Sequence, residues 1–393
     1  MIRSALASMI VLVSITEMPV IAEEETEATL HAYAAGYKAA FTCSALFNGS
    51  KSLQQVKAHE LTGVYREIQP ILDALPDAKI NYDEKSVSVK YSDTMPPRIS
   101  ANRGELGCIQ LPPGAQETAI KALPNFTAHY ADRSPNLPWT STKTGVEKNS
   151  LKALLINAFS NKNYGKNALT SALLVATPDT LLAEKYIEGF DHQTSQRTWS
   201  VAKSIAATII GMAIQDKVLD LTVPAGLPEW QHSIDPRKKI TLENLLHMAS
   251  GLDSNRAETD WEGNFILSSQ VWTTSRDLAR LGILYLQDGI WDGKRILPEG
   301  WVKYVSSPLG PQPPEKRTNG TAIPGYGAQF WLFNERFPNI PNDTFAAMGN
   351  RGQFLVIIPS RNLVIIRRGY DPAGGEGFKI DKFVEDVLTA LAS

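Results

Sequence analysis

An α+β fold is predicted for most of this 393-residue chain, and three observations predict it. The region after residue 150 carries strand-like runs at both its ends, with helical patterns between them. A sheet that pairs early strands with late ones, with helices against it, accommodates that order. A hydrophobic content of 43% over this length is enough for a large core and for two domains.

Each element has its own signal. LKALLINAF, from Leu151, reads as a helix. SALLVATPDTLLAEKYIEGF, from Ser171, reads as two strands joined at a Pro178-Asp179 turn. A helix opens at Ser200 and runs to about Asp216. TLENLLHMAS places Thr241 as a cap before an amphipathic pattern, so another helix is expected. TSRDLARLGILYLQDG is a third helix, stopped by Asp288-Gly289. SSPLGPQPPEKRTNGTAIPG is a Pro-rich loop. YGAQFWLF, GQFLVIIP and NLVIIRRGY read as strands, the last two separated by a turn at Pro359-Ser360-Arg361. KIDKFVEDVLTALA closes the chain as an amphipathic helix.

Residues 23–143 read as a separate leading module of open role. LHAYAAGYKAAF and SLQQVKAHEL are patterned as helices and KINYDEKSVSVKY alternates. The Ser-, Thr- and Pro-rich stretch RSPNLPWTSTKTGVEKNS marks the boundary with a domain over 144–393. Before the module, residues 1–22 have the form of a signal peptide. Arg3 precedes an apolar stretch from Ala5 to Ile15, and Val20-Ile21-Ala22 supplies small-residue spacing. A buried N-terminal helix is the alternative. Export to the periplasm or the medium is therefore expected, and no later run reaches the roughly 18 apolar residues of a membrane span.

The two cysteines, Cys43 and Cys108, then read as a disulfide, with two free buried thiols as the alternative. Such a bridge contributes roughly 4 kcal/mol in the chain-entropy model. A formal net charge of −2 gives no basic excess, which argues against nucleic acid or an anionic membrane as partner. The six histidines form no metal-ligand spacing, and no cofactor is called for.

The segment TWSVAKSIAATIIG, from Thr198, carries the chemistry. Lys203 sits in the first turn of a helix, where the positive end of the dipole disfavours a cation. Residues three apart share a helix face, so Ser200 and Lys203 can meet. In a dry pocket the amine loses its proton more readily and can take the serine proton as the hydroxyl attacks a carbonyl. The Ser200 N–H, in the first helical turn, can help hold the resulting oxyanion. A lone Ser-x-x-Lys is weak on its own.

Four stretches in one order give it context: QRTWSVAKSIAATIIGMAIQDKVLDL, ITLENLLHMASGLD, SSQVWTTSRDLARLGILYLQDGIWDGKRILPEGWV and MGNRGQFLVIIPSRNLVIIRRG. Their succession resembles the serine hydrolases related to class C β-lactamases. That family includes penicillin-binding-protein-like esterases and 6-aminohexanoate-dimer hydrolases. The resemblance covers about residues 150–393 and implies an antiparallel sheet flanked by helices. It implies Ser200 as nucleophile and Lys203 as general base. The family's third motif falls at Asn350-Arg351-Gly352, with the Gln353 N–H as second oxyanion donor. Gly352 would let the acyl group approach the strand. Asn350 stands where a cation or imidazole is usual, so Arg351 is the candidate for a substrate carboxylate, with a solvent-facing arginine as the alternative. Lys143-Thr144-Gly145 matches that motif literally but precedes the serine, and reads as a coincidence.

The family's Tyr-x-Asn segment is expected between Gly251 and Ser268, and no tyrosine lies there. The short junction implies a reduced helical half. Loss of an acid–base partner costs about 10²- to 10⁴-fold in rate. Among the tyrosines that follow, Tyr304-Val305-Ser306 fits the pattern literally but comes after the third helix, and Tyr326 reads as core packing on a strand. The expected substrate is a small-molecule or short-peptide amide or ester. A non-catalytic remnant or binding protein of the same fold is the alternative.

Overall fold

The computed structural model describes residues 27–104, 106–123, 149–160, 163–250 and 269–392. The leader at 1–22, the 143/144 boundary, Lys143-Thr144-Gly145 and the Gly251–Ser268 junction lie outside the described residues.

The predicted sheet forms, with seven antiparallel strands among the described residues. Across it lie Gly325–Tyr326, Trp331–Leu332, Phe345–Gly349, Gln353–Ile358, Leu363–Gly369, Thr170–Ala176 and Leu181–Tyr186. The late strand Leu363–Gly369 pairs with the early strand Thr170–Ala176, as the order of patterns predicts. Both are buried at every position, and each carries a continuous apolar run, at 172–176 and 363–366.

Alternation within these strands sorts the core into two layers. Leu174, Leu355, Ile357, Val364 and Ile366 pack with the Val201–Gln215 and Ser275–Leu286 helices. Leu173, Val175, Val356, Ile358 and Ile365 pack instead with Asn149–Asn157 and Ile380–Ala392. The Thr241 cap is in place, accepting from the Asn244 N–H, although its helix spans just Leu242–Leu246.

YGAQFWLF departs from expectation. The chain reverses between Tyr326 and Trp331, so two short strands pair where one was predicted. Gln329 takes a φ of 63°, and a Cβ on Gly327 would sit 2.0 Å from the Val305 carbonyl. The strand Phe345–Gly349, whose FAAMG carries little pattern, is an addition to the sequence reading.

The leading module has its own apolar cluster, in which the helix Glu27–Phe47 lies on an antiparallel sheet. Strands Lys79–Asn81, Ser86–Val89, Arg98–Asn102 and Cys108–Gln110 form that sheet. The expected Cys43–Cys108 disulfide is present and ties helix to sheet. No described helix is long and apolar enough to cross a membrane.

Candidate active site

The segment before Ser200 forms a two-residue strand, Gln196–Arg197, paired with Trp272–Thr273. Thr198 extends the contact, its N–H and hydroxyl both reaching the Val271 carbonyl. Trp199 then takes a φ of 49°, in the left-handed region. A non-glycine residue there stores on the order of 1–3 kcal/mol, and such turns persist only where the surroundings over-determine them. This turn carries Ser200 to the N-cap of the Val201–Gln215 helix.

Lys203 lies one turn along, with its Nζ donating to Ser200 Oγ at 3.3 Å. It is half-buried, and burial holds its amine below the ordinary lysine range. The opening N–H groups of a helix have no intrahelical acceptor. Here the N–H groups of Val201, Ala202 and Lys203 donate to the Thr198, Trp199 and Ser200 carbonyls, so what shares this helix end is a hydroxyl, an amine that deprotonates readily and the Ser200 main chain.

The Asn350-Arg351-Gly352 motif forms the turn between the adjacent strands Phe345–Gly349 and Gln353–Ile358. Gly349 is where this hairpin meets the serine turn. A Cβ added to it would fall 2.5 Å from the Thr198 carbonyl and 3.1 Å from the Ser200 nitrogen. Sequence reasoning passed over this glycine, although it directly precedes the motif.

The other motif residues are placed differently from expectation. Arg351 is buried and turned toward the leading module, where it donates to the carbonyls of His59 at 2.7 Å and Thr62 at 2.5 Å. It also reaches the carbonyls of Tyr370 and Asp371. Four main-chain acceptors engage its guanidinium, so the expectation of a substrate carboxylate there is corrected to an internal clamp. Gly352, at φ 77°, makes room for a protein group: a Cβ on it would lie 1.7 Å from Arg367 Nη1. That guanidinium donates to the Gly352 carbonyl and pairs with Asp371. The close approach assigned to an acyl group is thus occupied by Arg367.

Gln353 is buried at the foot of the hairpin. Its Nε2 donates to the Gly369 carbonyl at 2.6 Å and its Oε1 accepts from Arg368 Nε at 2.7 Å. Arg368 also donates to the carbonyls of Gln196 and Arg197, so one guanidinium ties the hairpin to the strand before the serine. Asn350 is exposed, and its side chain accepts from the Arg351 N–H. Tyr304 packs between the His247 and Trp301 rings, and Tyr326 Oη donates to Gln329 Oε1 at 3.2 Å. Burial pushes both phenols up to about 12.

No family model matches the chain. An uncharacterized protein of Alkalihalophilus pseudofirmus is 29% identical over 137 residues, 31% of this chain and 38% of that protein. The 6-aminohexanoate-dimer hydrolase of Paenarthrobacter ureafaciens is 29% identical over 121 residues, 30% of each. Its relatives include a hydrolase. The chain spans about a third of the length of these curated relatives. Among solved structures, a penicillin-binding protein homologue from Caulobacter crescentus superposes with a TM-score of 0.48 at 12% identity, over 62% of this chain and 98% of that one. A class C β-lactamase from Rhodobacter sphaeroides gives 0.44 at 12% identity, over 62% and 100%. The proteins to which the chain is similar are thus 6-aminohexanoate-dimer hydrolase-like, β-lactamase and penicillin-binding-protein-like.

Proposed function

We propose that this chain is an exported serine hydrolase that opens an amide or ester bond through an acyl-enzyme at Ser200. The observation that carries the reading is the Lys203 amine, depressed by burial and 3.3 Å from the Ser200 hydroxyl at a helix N-terminus. In its neutral form that amine accepts the serine proton as Oγ bonds to the carbonyl carbon. The oxyanion is held by the Ser200 N–H and by a second main-chain donor from the hairpin, assigned to Gln353 by resemblance, with the Gly349 end nearest the serine turn. Lys203 returns the proton to the leaving group, and water releases the acyl group by the same steps. No cofactor is needed. The substrate is a small molecule or short peptide, and the disulfide supports a periplasmic or extracellular location.

A second reading, a non-catalytic remnant or binding protein, is favoured by the lack of a tyrosine between Gly251 and Ser268. A fluorophosphonate reagent with intact-mass detection separates the two. The enzyme reading expects a single adduct, absent in Ser200→Ala, together with ester turnover that the same substitution abolishes. No adduct on the wild type, or one that survives Ser200→Ala, contradicts it.

A further inference from the structure

The leading module reaches the back of the serine turn. Arg197, three residues before Ser200, is buried with its guanidinium 3.9 Å from the centre of the Phe41 ring and 3.7 Å from Glu60 Oε2. Trp199, the strained residue, belongs to the module's own apolar cluster and lies 5.6 Å from Phe41. Trp272, opposite Arg197 in the two-strand pairing, donates from its indole to Ser44 Oγ at 2.8 Å. Its ring is packed so closely on Gly49 that a Cβ there would sit 2.4 Å away.

Arg197, Trp199 and Trp272 thus all pack against the C-terminal part of the Glu27–Phe47 helix and the turn after it. Phe41 contacts two of them, Arg197 and Trp199, and the Arg197 guanidinium in turn lies 5.0 Å from the centre of the Trp272 ring. The Phe41 ring stacks on Tyr37 at 3.7 Å, and two residues further along the same helix Cys43 is bridged to Cys108. The helix is therefore anchored to its own sheet immediately beside the contact. A left-handed tryptophan needs such surroundings to persist.

We infer that the leading module is a built-in positioning element for the nucleophile, in which Phe41, acting through Arg197 and Trp199, holds the turn that presents Ser200 to Lys203. The inference rests on the proposed role of Ser200 and adds a role for residues that the hydrolase resemblance does not cover. Phe41 touches no reacting atom. Without its ring the turn is free to leave the left-handed region, Ser200 shifts from Lys203, and water reaches the amine. A displacement of about 1 Å at a reacting group is enough to cost on the order of 10²-fold in rate.

The test is the rate of fluorophosphonate labelling against pH for wild type, Phe41→Ala and Phe41→Leu, with a thermal melt of each. The leucine variant keeps most of the volume and carries the test if the alanine variant does not fold. The expected result is labelling slowed tenfold or more in the folded variants, with the pH midpoint moved up as the amine becomes hydrated. Wild-type rate and midpoint in a folded variant overturn the inference. A slower rate with an unmoved midpoint overturns it as well, because loss of folded protein alone produces that. A wild type not labelled at Ser200 instead overturns the hydrolase reading on which the inference stands.

Discussion

Lys203 and Lys51 are two lysines withdrawn from water, and their surroundings differ. Lys51, in the junction behind the serine turn, donates to Tyr370 Oη at 2.7 Å, has Glu60 at 4.0 Å and lies over the Phe190 ring at 4.5 Å. Burial lowers its pKa to about 8, against the pull of Glu60. Lys203 is half-buried, lowered by burial, and its amine meets a serine hydroxyl. A lysine enclosed by a carboxylate, a phenol and aromatic faces is held as part of the fold. In the proposed mechanism, one placed against a serine hydroxyl serves proton transfer. Depressed basicity is common to both lysines, so it is the Ser200 partner that singles out Lys203 in the proposal.

Substitutions separate these roles. Lys203→Met should slow labelling of Ser200 by about 10²- to 10⁴-fold with little change in the melting curve. Lys51→Met should act the other way, costing about 1–3 kcal/mol of stability, because Tyr370 Oη loses its buried donor and Glu60 keeps Arg197 as its remaining cation. Urea unfolding measures that loss, and its pH dependence sharpens the contrast. The folded pKa of Lys51 lies below that of an unfolded lysine, about 10.4. Between those values the unfolded chain binds more protons, so stability rises with pH from about 8 to about 10. That slope should flatten in Lys51→Met, and an unchanged slope would place its origin elsewhere.

Smaller effects probe the edges of the site. Gly349→Ala should slow labelling by about 10²-fold, because the added methyl meets Thr198 and Ser200 main chain and displaces the turn. A wild-type rate would show that the hairpin can recede without cost. Tyr326→Phe should remove one hydrogen bond, about 1 kcal/mol by thermal melt, and leave the labelling rate unchanged. A large loss of rate there would move Tyr326 into the proton-transfer chemistry.

Much of this architecture was legible in the residues themselves. Strands Thr170–Ala176 and Leu363–Gly369 are buried on both faces, and their apolar runs at 172–176 and 363–366 announce it, whereas the buried Arg367 and Arg368 carry no such signal. Helix starts at Thr241 and Thr274 follow from local capping chemistry. The Ser200–Lys203 contact follows from helical spacing. Arg351 was not legible, because its acceptors His59 and Thr62 lie in a different part of the chain and no local pattern connects them. Gly352 could be recognised as a close approach but not for what approaches, since Arg367 arrives from the neighbouring strand. The left-handed Trp199 breaks local preference, and its ring packs near Phe41, far away in the chain. The signal available was two tryptophans at one short strand pair, Trp272 within it and Trp199 two residues after it, more aromatic surface than a solvent-facing turn requires.

The pH dependence of fluorophosphonate labelling at Ser200 in the wild-type chain tests the central claim most directly. The account predicts one adduct whose rate climbs with pH through a single midpoint below the ordinary lysine range, a midpoint that disappears in Lys203→Met. A rate that ignores pH across that range, or the same midpoint after Lys203 is removed, contradicts it.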